Sequence, residues 1–498
     1  MIKFFNLEHV KRFNIGLFSD KYNHKVYGGF MNHYESDQGN LDIVLLGDCI
    51  LTRKLSVFRE PSYLEMIDMI RTNDLVLANS EMLFHEYDGT PAWDHGGTHM
   101  ASDPNNISEL HWLGVNMVSC ANNHANDYGP RGVIDNIKNL DRFNMPHAGT
   151  GRHLTEATAP TYFDTPKGRV ALISVTATLP ANGSYAGEPS SLDQGRPGAN
   201  VLRHEIQYVI PKEDLNSLKK ISEGLGFEKA KQRLVVSRNP GLKRDDENTF
   251  QFLNTNFAPY PKFDFSNFTV GDHYKVITTP NTEDLNRNLK WIENAKHFAD
   301  WVIVSIHVHD CGKEETDSPD FVKDFAHKVI DAGTDIFVSH GSHHSYQGSR
   351  GIEIYNNKPI FHGLGGFITQ SSVKWSPWDA YQRYGIINEQ NPTPSDFETK
   401  RSSIGREYDV NRIGMHGSAY VSLQWQKKEC VKIIIHPVTT NSQNVSIFKD
   451  RSRGTQGRPI PAHGEVAEDI INRIAEMSSE FDIKIVKEND IGVIYLDK

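Results

Sequence analysis

Cysteine is scarce in this sequence. Cys49, Cys120, Cys311 and Cys430 are the only four in 498 residues; they lie far apart, with no Cys-x-x-Cys pair. That spacing excludes a disulfide framework and a structural zinc knuckle. Long apolar runs are missing as well. No stretch approaches the roughly 20 apolar residues of a membrane span, so no membrane segment is expected. The N-terminus, MIKFFNLEHVKRFNIGLFSDK, lacks a continuous apolar core and a small-residue cleavage site. No signal peptide is read there, and a cytoplasmic protein is expected. Blocks of one charge are missing too, and the net charge is −10. Sequence-independent nucleic-acid binding needs a basic face, so no nucleic-acid partner is expected. There is no internal repeat and no low-complexity tract.

What is present is an alternation of short apolar runs with helical patterns. LDIVLLGD (41–48), DLVLANSE (74–81), NMVSCANNH (116–124) and RVALISVTA (169–177) read as buried strands, too short for typical helices. Between them, SYLEMIDMIRTN (62–73), NISELHWLG (106–114) and GVIDNIKNLDRFN (132–144) have helical spacing. Strands alternating with helices indicate α/β layering. Residues 181–275 break the pattern, with a Gly/Pro/Ser-rich start, a charged helical stretch and an aromatic, Pro-containing loop to about residue 270. This segment reads as an insertion that roofs the site. The alternation resumes with the strands DWVIVSIHVH (300–309) and DIFVSHGSHH (335–344), and KPIFHGLGGFI (358–368) closes this part. Residues 370–415 read as a polar linker, followed by two adjacent strands, a helix and a final strand pair. The expected organisation is an N-terminal arm (1–40), a main domain (41–375, insertion 181–275) and C-terminal strands and helix (376–498) packed on the core. Length alone allows two to four domains or one large domain with insertions.

Several apolar runs end in residues that bind metals. These are Asp48, then Asn79 and Glu81, then Asn122, Asn123 and His124, then His307 and His309, and finally His340, His343 and His344. In open α/β sheets, ligands bind beyond the carboxyl ends of the strands. A single Asp or His after a strand is ordinarily a turn former or helix cap. Five such tips in one chain point instead to a shared site. The mix of oxygen and imidazole donors suits Mn, Fe or Zn better than Ca. There are too many donors for one tetrahedral zinc. Two divalent ions about 3.5–4 Å apart use them economically.

LLGDCILTR, ANSEM, ANNHANDYG, VIVSIHVH and SHGSHH…RGIEIYNNKPIFHGLGGFI, in this order, resemble the CapA family, named for poly-γ-glutamate capsule synthesis, in the calcineurin-like metallophosphoesterase superfamily. The resemblance covers roughly residues 41–180 and 276–370. It implies a four-layer α/β/β/α sandwich with the insertion as a lid and a C-terminal extension. It also implies roles by position. Asp48 and His343 serve the first metal, Glu81 bridges, and Asn123, His307 and His340 serve the second metal. His124 protonates the leaving group, and Asp127, three residues on, fixes its ring. The superfamily often has a histidine where this chain has Ile50, and the family often has Trp-Gly where it has Val308-His309. His309 and His344 stay open between substrate contacts, extra ligands and buried donors. Asn79 and Asn122 are candidate substrate contacts. In the insertion, Arg196 and Arg203 are either a clamp for a carboxylate or phosphate or solvated residues of a Pro-Gly turn.

The expected activity is therefore metal-dependent hydrolysis of a phosphoester or an amide bond, γ-glutamyl-like or cyclic, in a small-molecule or short-polymer substrate. The alternative is a non-catalytic protein that binds or handles a glutamate polymer.

Overall fold

Both faces of the run LDIVLLGDCI are covered, which is why it is apolar throughout instead of alternating. This is β1 (Leu41–Ile50) of a computed structural model. The structure describes residues 39–93, 97–180, 185–236, 241–254, 265–314, 316–342, 350–370, 373–386, 391–407, 417–440 and 457–496. The expected N-terminal arm lies almost wholly outside them, as do His343 and His344.

From β1 the chain runs through α1 (Pro61–Arg71), β2 (Leu75–Asn79), α2 (Ile107–Leu113), β3 (Met117–Ser119), α3 (Gly129–Arg142) and β4 (Gly168–Thr176). The insertion follows, with β5 (His204–Ile210), α4 (Lys212–Gly224), α5 (Phe227–Val236), β6 (Thr249–Leu253), β7 (Phe265–Val270) and β8 (Lys275–Pro280). Then come α6 (Thr282–Ala295), β9 (Trp301–His307), α7 (Asp320–Ala332), β10 (Ile336–His340), β11 (Ile352–Tyr355), β12 (Lys358–Phe361) and β13 (Gly366–Thr369). The C-terminal part holds α8 (Trp378–Arg383), α9 (Pro394–Glu407), β14 (Gly417–Gln426), β15 (Glu429–Thr439), α10 (Gly464–Ser478) and β16 (Ile491–Tyr495).

The architecture is mixed α/β, built on two large mixed sheets. The first contains β16, β15, β14, β1, β2 and β3 in that spatial order, with β13 joined to the end of β1. The second runs β11, β12, β10, β9, β4. Strand alternation explains how they meet. Ile43 and Leu45 of β1, Leu75 and Leu77 of β2, Leu172 of β4, Trp301 and Ile303 of β9 and Ile336 and Val338 of β10 form one apolar core. The intervening residues face the other way. Val44, Leu46, Val76 and Val118 pack with Met66, Ile67, Ile70 and Leu110 of α1 and α2. Ile173, Val302, Val304 and Phe337 pack with Ile292, Phe325 and Val329 of α6 and α7. In α10, Ala467, Ile470 and Ile474 fall at i, i+3 and i+7 of one buried helical stripe and close the inter-sheet core beside β14 and β15.

Two stretches differ from the sequence expectation. In the aromatic segment read as a loop to about residue 270, Thr249–Leu253 and Phe265–Val270 are strands, while residues 255–264 lie outside the described residues. Phe250 and Phe252 of β6 alternate with Gln251 and place both rings on one face of a four-stranded sheet, ordered β6-β7-β5-β8. The polar stretch 370–415 is not merely a linker, because α8 and α9 form there around Ala380, Tyr381, Ile386 and Phe397. Its apolar residues are too sparse for a readable period, and part of its anchoring is polar. Arg383 donates to the Gly97 carbonyl, and Arg401 to Thr98.

Candidate metal centre

Register brings the site residues together. Asp48 sits beside Asn79, and Asn79 beside Ser119, in the first sheet. His307 sits between Thr176 and His340 in the second. A register shift between Leu45 and Asp48 marks a bulge, a device that re-aims a side chain at the end of a strand. Gly47 permits it. The backbone there runs so close to Gly365 that a Cβ would fall 1.6 Å from the Gly365 carbonyl oxygen, and Asp48 N–H donates to that same oxygen at 3.0 Å. The stretch after β12 thus crosses from the second sheet to the first, directly past Asp48.

Asp48, Glu81, His307 and His340 are all buried. Asn79 organises their inner side. Its Oδ1 accepts from Ser119 Oγ (3.1 Å) and Asn122 Nδ2 (3.4 Å). Its Nδ2 therefore faces Asp48 Oδ1, at 2.7 Å, and lies 3.2 Å from His307 Nδ1. Asp48 Oδ2 accepts from Gly341 N–H at 3.1 Å. Asn122 also donates to the Ser80 carbonyl (2.8 Å) and accepts from His124 N–H (3.1 Å). The amides of Asn79 and Asn122 are thus in the cluster, holding its parts together.

The carboxylate–imidazole separations carry chemical information. His307 Nδ1 is 3.8 Å and His340 Nδ1 is 4.0 Å from Asp48 Oδ1. Around Glu81 Oε1 stand His307 Nε2 at 3.7 Å, His124 Nε2 at 3.8 Å and His309 Nε2 at 4.0 Å. These distances exceed a hydrogen bond, which ends near about 3.2 Å. Each of them suits a pair of neighbouring ligands on one ion, with bonds of about 2.1 Å. Three orphaned atoms agree. The buried Asn123 Oδ1 and both His340 ring nitrogens have no hydrogen-bond partner among the described residues. Burial also pushes the His340 imidazole below its ordinary pKa, keeping it neutral, the form that ligates metal. This donor set fits a divalent cation.

His124 sits in the turn before α3. Its Nδ1 is 2.7 Å from Asp127 Oδ2, and that oxygen also accepts from Met100 N–H at 2.6 Å. The pairing orients the ring with Nε2 toward Glu81. Cys49, next to Asp48, is pushed well above its usual pKa by burial and by the Asp48 and Glu81 charges, so its thiol stays protonated.

Arg196 and Arg203 are engaged away from this cluster. Arg203 makes a bidentate pair with Asp284 (2.7 and 2.9 Å). Arg196 Nε donates to the Tyr185 carbonyl, and both guanidiniums lie 5.2 Å from the Tyr185 ring centroid. Residues that the sequence did not single out complete the surroundings. Ser119 orients Asn79, Thr178 Oγ1 accepts from His309 N–H at 2.6 Å, and Arg350 donates to the His309 and Asp310 carbonyls. Only the two-residue spacing of His307 and His309 hinted at this part of the site, since it puts both side chains on one side of an extended chain.

Two mixed sheets whose facing strand ends hold a buried cluster of carboxylates, amides and imidazoles define an α/β protein with a candidate metal centre. Residues 42–371 match the bacterial capsule synthesis protein PGA_cap family, and the chain belongs to that family. It is similar to two proteins of Sinorhizobium fredii, the uncharacterized proteins y4sH and y4uA, each 28% identical over 466 residues, covering 91% of this chain and 93% of theirs. A shorter stretch of 44 residues is 50% identical to a probable polyglutamine synthesis accessory protein of Mycobacterium tuberculosis, covering 9% of this chain and 10% of that one. Among the described residues, no helix is long and apolar enough to cross a membrane.

Proposed function

We propose that the chain is a metal-dependent hydrolase with a binuclear centre, acting on a phosphoester or an amide bond of a small-molecule or short-polymer substrate. The observation that carries this reading is the set of separations from 3.7 to 4.0 Å that join Asp48 and Glu81, at strand ends of the first sheet, to imidazoles at strand ends of the second. In this reading Asp48, Glu81 and His340 hold one side of the centre, His340 Nδ1 standing 4.0 Å from Asp48 Oδ1 although the resemblance assigns it to the second metal; Glu81, Asn123 and His307 hold the other, with His343 as a further ligand. The three apolar cores support a metallophosphoesterase-like four-layer α/β/β/α sandwich as its scaffold. Bound Mn, Fe or Zn ions would acidify a water and take up charge developing on a phosphoryl or carbonyl oxygen. The chain's own contribution is proton delivery. His124 Nε2 faces the cluster and hands a proton to the departing oxygen or nitrogen, while Asp127 holds the ring and favours its charged form. The insertion, which leaves the main body just after Thr178, selects the substrate.

A hydrolase panel on Mn-, Fe- and Zn-reconstituted protein tests this, with His124→Ala as control. Turnover that depends on metal and falls at least about 100-fold in His124→Ala is expected, in line with the contribution of a general acid. The second reading, a non-catalytic protein handling a glutamate polymer, draws on the family's link to capsule synthesis. Tight polymer binding with no turnover under any metal would favour it.

A further inference from the structure

His309 stands where the resemblance leads one to expect Gly, and its ring points into the cluster. Its Nε2 is 3.1 Å from His307 Nε2 and 4.0 Å from Glu81 Oε1, and the third side, His307 Nε2 to Glu81 Oε1, is 3.7 Å. The circle through three atoms so spaced has a radius of about 2.1 Å, the length of a bond from zinc to imidazole or carboxylate. One ion at its centre would reach all three at bonding distance with side-chain adjustments of a few tenths of an ångström. The three donor atoms also lie within 4.8 Å of one another, with Glu81 and His307 buried and His309 only partly so.

The surroundings hold His309 in this place. Its N–H donates to Thr178 Oγ1, and its carbonyl accepts from the buried Arg350 guanidinium. Across the pair lies Gly341, at φ +91°, where a Cβ would stand 2.9 Å from His307 Nε2 and 3.0 Å from His309 Cδ2. The missing side chain leaves the space in which the two rings meet. We infer that His309 is a metal ligand of this chain, completing a two-histidine, one-carboxylate set with His307 and Glu81. Its side chain is 25% exposed, so it closes the set on the solvent side and leaves room beside it for water or substrate. An added imidazole favours Zn or Fe over Mn, which is content with oxygen donors.

The inference rests on the metal-dependent reading above, and its test does not need a substrate. Zn and Mn are titrated separately into metal-free wild type, His309→Gln and His309→Asp, reading affinity and the metal-induced rise in Tm. Wild type should bind Zn with a clear Tm rise. His309→Gln should lose at least about 10- to 100-fold in Zn affinity, the effect of disturbing even an outer-shell partner. Its metal-free Tm should match wild type. His309→Asp should bind Zn more weakly while keeping most of its Mn affinity. Unchanged Zn affinity in His309→Gln would overturn the inference and leave the hydrolase reading standing, and so would a lower Tm already present without metal. A wild type that binds neither metal would overturn both.

Discussion

Replacing Asp127 by Asn separates the charge of this residue from its geometry. Asp127 is fully buried, and one of its oxygens accepts both His124 Nδ1–H and Met100 N–H. The amide oxygen of Asn can take over both bonds, so the ring keeps its orientation and only the negative charge is lost. A hydrogen bond to a charged group contributes about 1.5–3 kcal/mol against about 0.5–1.5 for a neutral one, so Asp127→Asn should cost roughly 1–1.5 kcal/mol wherever His124 carries a proton to the leaving group. That is about tenfold in kcat/KM for substrates with basic leaving groups such as alkoxides. A leaving group that departs without a proton, such as p-nitrophenolate, should be nearly unaffected. Asp127→Ala, by contrast, strands two buried donors at about 1–3 kcal/mol each and should lower folding stability by roughly 2–6 kcal/mol. The assay is kcat/KM across a leaving-group series on metal-reconstituted protein, with urea unfolding of both variants alongside. An Asp127→Asn protein that slows acidic and basic leaving groups equally would refute the proton-delivery role of the pair.

Gly341→Ala should lose about 2–5 kcal/mol in urea unfolding, combining a left-handed φ with a Cβ pressed on His307 and His309; a loss below about 0.5 kcal/mol would mean that the close approach is not real. Asn79→Ala should weaken metal binding and destabilise the fold by about 1–3 kcal/mol, because buried Ser119 and Asn122 lose an acceptor; calorimetric metal titration and thermal unfolding check it. Burial pushes His85 and His436 down to about 4, so both stay neutral in the fold but protonate near 6.5 once unfolded. The unfolded chain then binds more protons, and stability should fall as pH drops from about 6.5 toward 4, by roughly 2–3 kcal/mol at pH 4.5 for His436. Urea midpoints between pH 7 and 4.5 should show this, and His436→Gln should flatten the slope by one proton.

The strands that carry the cluster were legible because burial on both faces leaves an unbroken apolar run, as in β1, β4, β9 and β10. Their convergence was legible only as an expectation, since no local pattern says that Asp48 and His307, 259 positions apart in the numbering, share the seam between two sheets. What the sequence concealed was mostly backbone work. The bulge at Asp48, the carbonyl of Gly365 beneath it and the space at Gly341 have no signature beyond a glycine. Arg350 and Thr178 act through main-chain groups of the His309 segment, contacts that residue type does not announce. The helices α8 and α9 were hidden for another reason: Phe397 alone carries the buried stripe of α9 among its described side chains, so no period emerges.

The proposed hydrolase function requires that the facing strand ends of the two sheets hold divalent cations. Crystals of the full chain grown with Mn or Zn, measured at the absorption edge of the metal, test it most directly. Anomalous peaks are expected between Asp48 and His340 and within the triangle of Glu81, His307 and His309. No peak at either place in saturating metal would contradict the proposed function, and peaks confined to surface histidines such as His463 would do the same.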